Sequence, residues 1–289
     1  MTTMTIRTIL VGASGGSASD GAIELACQLA VRFGAHLEAH HVRVDPTEIL
    51  VAASAGGVGV ATDGTWIDQM TEDAAKLAET TQTNFFKTAA QHGLVRADTP
   101  REGVTANWRD EIGRATDLVA ARARFFDLVI LGRSDRVIDQ PSTDVIEQTL
   151  LSAGRPVLLA PATAPAALGK TIAVGWDGSV QSVRGLAAAM PLLRKATKAI
   201  VMTIGNKPDA DTAAANDYLR WHGIASEVQN VSAVSGVAPG ELLLSAARDA
   251  GADLLAMGAF GKGPWREMLF GGATRTIVGS SLLPVLMTH

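Results

Sequence analysis

IRTILVGASGG (residues 6–16) and GKTIAVGWDGS (169–179) are two versions of one pattern. Each opens with a short apolar run rich in branched residues, the composition of a strand buried on both faces. Each then breaks into glycine and serine before a helical stretch. Laid together without a gap, Val11-Gly12-Ala13-Ser14-Gly15 covers Val174-Gly175-Trp176-Asp177-Gly178, an offset of 163 residues. The agreement runs on downstream, with Ser19 over Ser182 and Ile23 over Leu186. Self-similarity at this scale marks an internal repeat.

The ends of the halves match as well. DLVILG (127–132) corresponds to DLLAMG (253–258), and RPVLLAP (155–161) to LPVLMTH (283–289). At Pro156 and Pro284 the offset has fallen to 128, so the first half is 35 residues longer. Most of the surplus falls between its second strand, HLEAHHVRV (36–44), and its third, and includes the glycine-rich AASAGGVGVATDG (52–64). Helices are predicted over 18–33, 67–92, 105–124 and 142–153, then over 181–195, 209–222, 237–250 and 272–280. Strands alternating with helices imply right-handed crossovers and a parallel sheet covered on both faces. The expected class is therefore α/β, as two consecutive doubly wound parallel five-stranded sheets. The first spans 1–161 with an insertion at about 45–66, the second 170–289, and PATAPAALGK (161–170) links them.

With 289 residues, 47% hydrophobic and 19% charged, the chain suffices for two cored domains. A net charge of −4, with no basic run longer than Arg194-Lys195, favours neither nucleic acid nor an acidic membrane surface. One cysteine, Cys27, fits a reducing compartment and is expected to be inert core. The opening MTTMTIRTILVGAS is too short for a secretory core, and no apolar run suits a membrane helix. The expected location is cytoplasmic. CxxC, HExxH and GxSxG are absent, which removes the usual signatures of zinc and serine-esterase chemistry. His36 and His40 share one face of the second strand, with His41 on the other. Strand rise places the first two about 13 Å apart, too far to share a metal. Met70, Leu77 and Phe85 read as a packing stripe on helix 67–92.

In an open parallel sheet, ligands sit beyond the carboxyl ends of the strands where the strand order switches. The loop after strand four of the second half reads GAFGKGPWREMLFGGATRTIV (258–278). Gly258 and Gly261 are followed at a distance by Gly271, Gly272, Ala273 and Thr274, where a helix opens. They are either turn glycines or part of a phosphate cradle built from main-chain amides, and the second glycine pair favours the cradle. Lys262 and Arg266 would add charge-assisted contacts. Trp265, inside the loop, either covers a ligand or packs. In VGWDGS (174–179), Asp177 is either an acceptor for an adenine amino group or ribose hydroxyl, or a cap of the helix that follows.

The VxxDGS turn, the glycine loop and the closing PVL strand resemble the universal stress protein family, over nearly the whole chain and in its tandem form. The resemblance implies a fold like that of the adenine nucleotide alpha-hydrolases, with the two halves paired through their final strands as an intrachain pseudo-dimer. It implies an ATP site, with Mg2+, formed by Val174, Asp177, Gly258, Gly261, Lys262, Gly271, Gly272, Ala273 and Thr274. Gly272 stands where the family has serine or threonine, so a side-chain contact is missing there. In the first half Ser14 replaces the aspartate, and GRSDRVIDQPSTDV (132–145) keeps only Gly132 of the loop. The implied function is stress response, with an adenine nucleotide bound in the second half in a regulatory role and at most slow hydrolysis. The alternative is a nucleotide-free scaffold with a vestigial loop. Implied partners are the nucleotide, an unidentified protein and a second copy as homodimer. SGGSAS (14–19) also resembles the loop of ATP pyrophosphatases, with Ala18 where they carry aspartate, and so leaves adenylating chemistry as a third reading.

Overall fold

The computed structural model describes residues 5–46, 64–133, 141–205, 210–259 and 283–289. The first half contributes strands β1 (Thr8–Gly12), β2 (His36–Arg43), β3 (Val95–Arg96), β4 (Thr105–Ile112), β5 (Leu128–Gly132) and β6 (Val157–Ala160). The second contributes β7 (Thr171–Gly175), β8 (Lys198–Ile204), β9 (Ser226–Val231), β10 (Leu254–Gly258) and β11 (Val285–Thr288). Helices α1 (Gly16–Phe33), α2 (Gly64–Gln91), α3 (Ala115–Ala123) and α4 (Pro141–Ser152) belong to the first half. Helices α5 (Val180–Leu193), α6 (Ala210–Trp221) and α7 (Pro239–Asp249) belong to the second.

The class is α/β, and the two sheets run together edge to edge. Eleven strands follow the order β3-β4-β2-β1-β5-β6-β11-β10-β7-β8-β9. Every pairing is parallel except that of β6 with β11, which is antiparallel. There Val157 faces Met287, Leu158 faces Leu286 and Leu159 faces Val285. At the offset of 128 this is a strand lying against its own copy, the self-complementary contact of a two-fold axis. The apolar edges that the terminal strands would expose are thus consumed by one another. A second contact obeys the same symmetry. Lys195 Nζ donates to the Arg32 carbonyl at 2.6 Å, and Arg32 Nη2 donates to the Lys195 carbonyl at 3.1 Å.

The matching aspartates of DLVILG and DLLAMG have one shared task. Asp127 Oδ2 accepts from the Arg7 and Thr8 amides at 2.8 and 3.0 Å, and Asp253 accepts from the Gly169 and Lys170 amides at 2.7 and 2.8 Å. Each pins the start of its strand one beside strand four.

One expected helix is replaced. Residues 105–124 form strand β4 and then helix α3, because β4 runs the full length of β2 in parallel, from His36 opposite Thr105 to Arg43 opposite Ile112. The pairing supplies partners to a polar face of β2. His36 Nδ1 lies 2.8 Å from Thr105 Oγ1, and His40 Nε2 lies 2.8 Å from Glu111 Oε2. The remaining described helices fall within a few residues of expectation. The predicted helix 272–280 and most of the 45–66 insertion lie outside the described residues.

Candidate functional site

β7 pairs with β10 on one side and β8 on the other, with Val174 opposite Ala256 and Gly175 opposite Met202. The chain leaves β7 toward β8 and β9, then returns on its other side through β10 and β11. The carboxyl ends of β7 and β10 therefore flank a topological switch point, and α5 begins there. Ser179 caps α5 and its Oγ accepts from the Ser182 amide at 3.2 Å. Asp177 Oδ1 accepts from the Ser179 amide at 2.9 Å and from the Ser179 hydroxyl at 2.5 Å. The cap is therefore Ser179, and Asp177, itself exposed, braces it from outside the helix. Val174 is wholly buried in the core.

Gly258 has a packing reason to be glycine. A Cβ there would stand 2.3 Å from the carbonyl carbon of Gln181 and 2.5 Å from its oxygen. In the first half a Cβ on Gly132 would stand 2.2 Å from the carbonyl oxygen of Ala18. Ala18 and Gln181 are copies at the offset of 163. In both halves the bare strand end lets the first turn of the helix that follows strand one, α1 or α5, lie directly against it. That is why the first half keeps Gly132 while losing the rest of the loop. Gly261, Lys262, Trp265, Arg266, Gly271, Gly272, Ala273 and Thr274 lie outside the described residues.

A cavity of about 450 Å³ opens between α5 and α6, next to the strand-one turn. Its walls include Trp176, Leu186, Ala187 and Tyr218, with Gly178 and Asp211 also lining it. The sequence reading missed Trp176, Asp211 and Tyr218. The one available signal was a tryptophan at the turn position that Ala13 holds in the first half.

The equivalent place in the first half is filled. Gly15 and Gly16 adopt φ of 89° and 77°, a turn that glycine alone enters easily. A Cβ on Gly15 would meet Leu77 Cδ1 at 2.8 Å and Thr81 Oγ1 at 3.2 Å, so α2 lies across this turn. Deeper in, His41 Nδ1 donates to the Ala13 carbonyl at 2.5 Å and its ring stacks on Trp108 at 5.6 Å, with Phe85 beside Trp108 at 5.9 Å.

The charged groups outside these turns serve the sheet. Glu38 is buried and receives both Arg122 Nε and Nη2 at 2.7 Å. His40 is held below its ordinary pKa by burial, against the opposing pull of Glu111. Among the described residues no group of three or more His, Cys, Asp or Glu could hold a metal. Burial pushes the Cys27 thiol up to about 12, the behaviour of an inert core residue. Arg133 follows Gly132, is 3% exposed, and donates through Nη2 to the Leu283 carbonyl across the two-fold seam. Desolvation lowers its pKa to about 10.

Residues 169–289 match the family model described as the universal stress protein family. No curated protein matches the chain. In fold, a universal stress protein from Archaeoglobus fulgidus is similar across 98% of this chain and 96% of its own, with a TM-score of 0.69 and 15% identity. A Pseudomonas aeruginosa protein described as a universal stress protein is similar over 98% of this chain and 93% of its own, with a TM-score of 0.52 and 16% identity.

Proposed function

With residues 169–289 as a universal stress protein domain, we propose that this half binds ATP or a related adenine nucleotide, in a regulatory role within a stress response. The observation that carries the reading is the switch point of the second half. There the start of α5 and the turn of Asp177 meet the end of β10 at Gly258, and a cavity opens between α5 and α6. A helix start offers unpaired amides and partial positive charge to an anion. The glycine loop that continues from Gly258 through Gly261, Lys262 and Gly271 to Thr274 would hold the phosphates through its main-chain amides. Mg2+ would arrive with the polyphosphate, as it commonly does where few carboxylates are at hand.

The division of labour follows the repeat. Residues 170–289 bind, and residues 1–161 support, since Leu77 and Thr81 of α2 already sit on the turn that would face a ligand in the first half. The same packing counts against adenylating chemistry at Ser14 to Ser19. The regulatory reading has no general base assigned to it, so turnover of ATP is slow or nil. A cytoplasmic setting suits the single, buried cysteine. A homodimer would need a surface other than the final strands, which pair with each other inside the chain.

Calorimetry with ATP on the whole chain tests the reading. Saturable binding is expected, with heat lost in Gly261→Val and a melting temperature that rises with ligand concentration. An unchanged melting temperature at millimolar ATP, with no heat of binding, would leave the nucleotide-free scaffold as the better account.

A further inference from the structure

The outer faces of α5 and α6 carry apolar side chains where the first half carries polar ones. At the offset of 163, Val183 and Ala187 of α5 stand where α1 has Asp20 and Glu24. Glu24 has a task within the chain. Its Oε1 lies 2.9 Å from Nε2 of His92, just past the end of α2, and clasps the two helices together. On α5 the same positions face solvent: Val183 is 50% exposed, Val180 one turn earlier is 62% exposed, and Ala187 is exposed too. Across the groove α6 presents Ala214 and Tyr218, and one turn beyond them Trp221, 89% exposed. An indole left almost wholly in water beside an apolar groove is the mark of an association surface.

Strands β7, β8 and β9 are parallel, so α5 and α6, which connect them, both start at the carboxyl end of the sheet and run the same way. The groove reaches their starting end, where Gly178 and Asp211 line it, and Trp221 stands at the far end of α6. Charge follows the same axis. Asp177 and Asp211, both exposed, lie at the starting end, whereas Arg194 and Arg220, both exposed, lie at the far end. One face thus carries a groove with an acidic end and a protruding ring with a basic end. Turned by half a rotation, it is complementary to itself in shape and in charge.

We propose that this face pairs with the same face of a second copy through a two-fold axis, Trp221 of each copy entering the α5–α6 groove of the other. Asp211 and Arg220 straddle the midpoint of α6, so the antiparallel arrangement sets each beside its opposite charge, twice over. A contact of one patch with itself closes at two copies and does not grow into a filament. Two indoles, burying roughly 150–250 Å² each, anchor it. The paired charges fix its direction more than they add affinity. The surface is distinct from the β6–β11 seam, which the chain satisfies internally, and the pairing holds whether or not the second half binds a nucleotide.

Sedimentation of the whole chain tests this. Its mass is expected to move from one copy to two between about 1 and 100 μM, the range of a small and transient interface. Trp221→Ala and Val183→Glu should each weaken association about tenfold or more, while the dilute protein melts as wild type does, since both side chains lie in solvent there. Asp211→Arg and Arg220→Asp should each stay single alone, because like charges then meet across the axis. Mixed together, the two variants should pair, because every such contact is again opposite in sign. A wild-type chain that stays single at about 100 μM would overturn the inference and leave the groove to a different protein. A dimer indifferent to Trp221→Ala and Val183→Glu, or charge variants that mix without pairing, would overturn it as well.

Discussion

Gly132 and Gly258 show how one missing methyl group sets the distance between a strand end and a helix. Each lies at a strand end, and each would place a Cβ within 2.3 Å of main-chain atoms in the first turn of α1 or α5. Backbone cannot step aside as a side chain can, so alanine at either position must push the helix off the sheet. Gly258→Ala and Gly132→Ala are each expected to destabilise the fold by about 2–3 kcal/mol, read from chemical denaturation. Equal costs in the two halves would confirm a packing role, whereas a near-neutral Gly132→Ala would refute it. Cys27 gives a second expectation at this scale. With its thiol pushed up to about 12, it should resist alkylation at pH 8 in the native protein and react fully once unfolded.

At the scale of elements, β2 and β4 carry a polar ladder beside the apolar strands β1 and β5. Arg122 closes on Glu38 from α3, and His40 meets Glu111 from β4. His40 is held below the ordinary histidine value by burial, so the unfolded chain binds its proton more readily than the native one. Stability from this site is complete above about pH 6.5 and is lost as the pH falls below it. Glu111, held low first by Arg109, acts in the same direction at more acid pH. Denaturation midpoints measured from pH 7.5 to 5 should fall, and His40→Gln should flatten that slope; an unchanged slope would remove His40 from the account. This face was also the least legible part of the sequence. Arg109, Asp110 and Glu111 stand together as on a solvated helix, and only the ladder to β2 makes them alternate between faces. The repeated strands, by contrast, were plain, since DLVILG and DLLAMG carry the same buried run and the same pinning aspartate. Of the candidate site, Asp177 was visible but its attachment to Ser179 was not. Trp176 finds its place only once α5 and α6 are set beside the strand-one turn.

For the molecule as a whole, the decisive contact is the antiparallel pairing of β6 with β11. It turns two five-stranded units, with β3 as a short addition at one rim, into a continuous sheet. A fragment of residues 170–289 would expose β11 as an apolar edge, and two copies of it would pair as β6 and β11 do. Sedimentation of that fragment at twice its own mass is the expected result, and a stable monomer would argue that the seam contributes little.

In an assembly of identical subunits, every substitution at a two-fold axis lands twice, facing itself. Fusion into one polypeptide lifts that constraint. Arg32 and Lys195 occupy equivalent places with different side chains, and VLLA lies against VLMT. One half covers its turn with α2 while the other leaves a cavity beside its own, a difference that two identical subunits could not show.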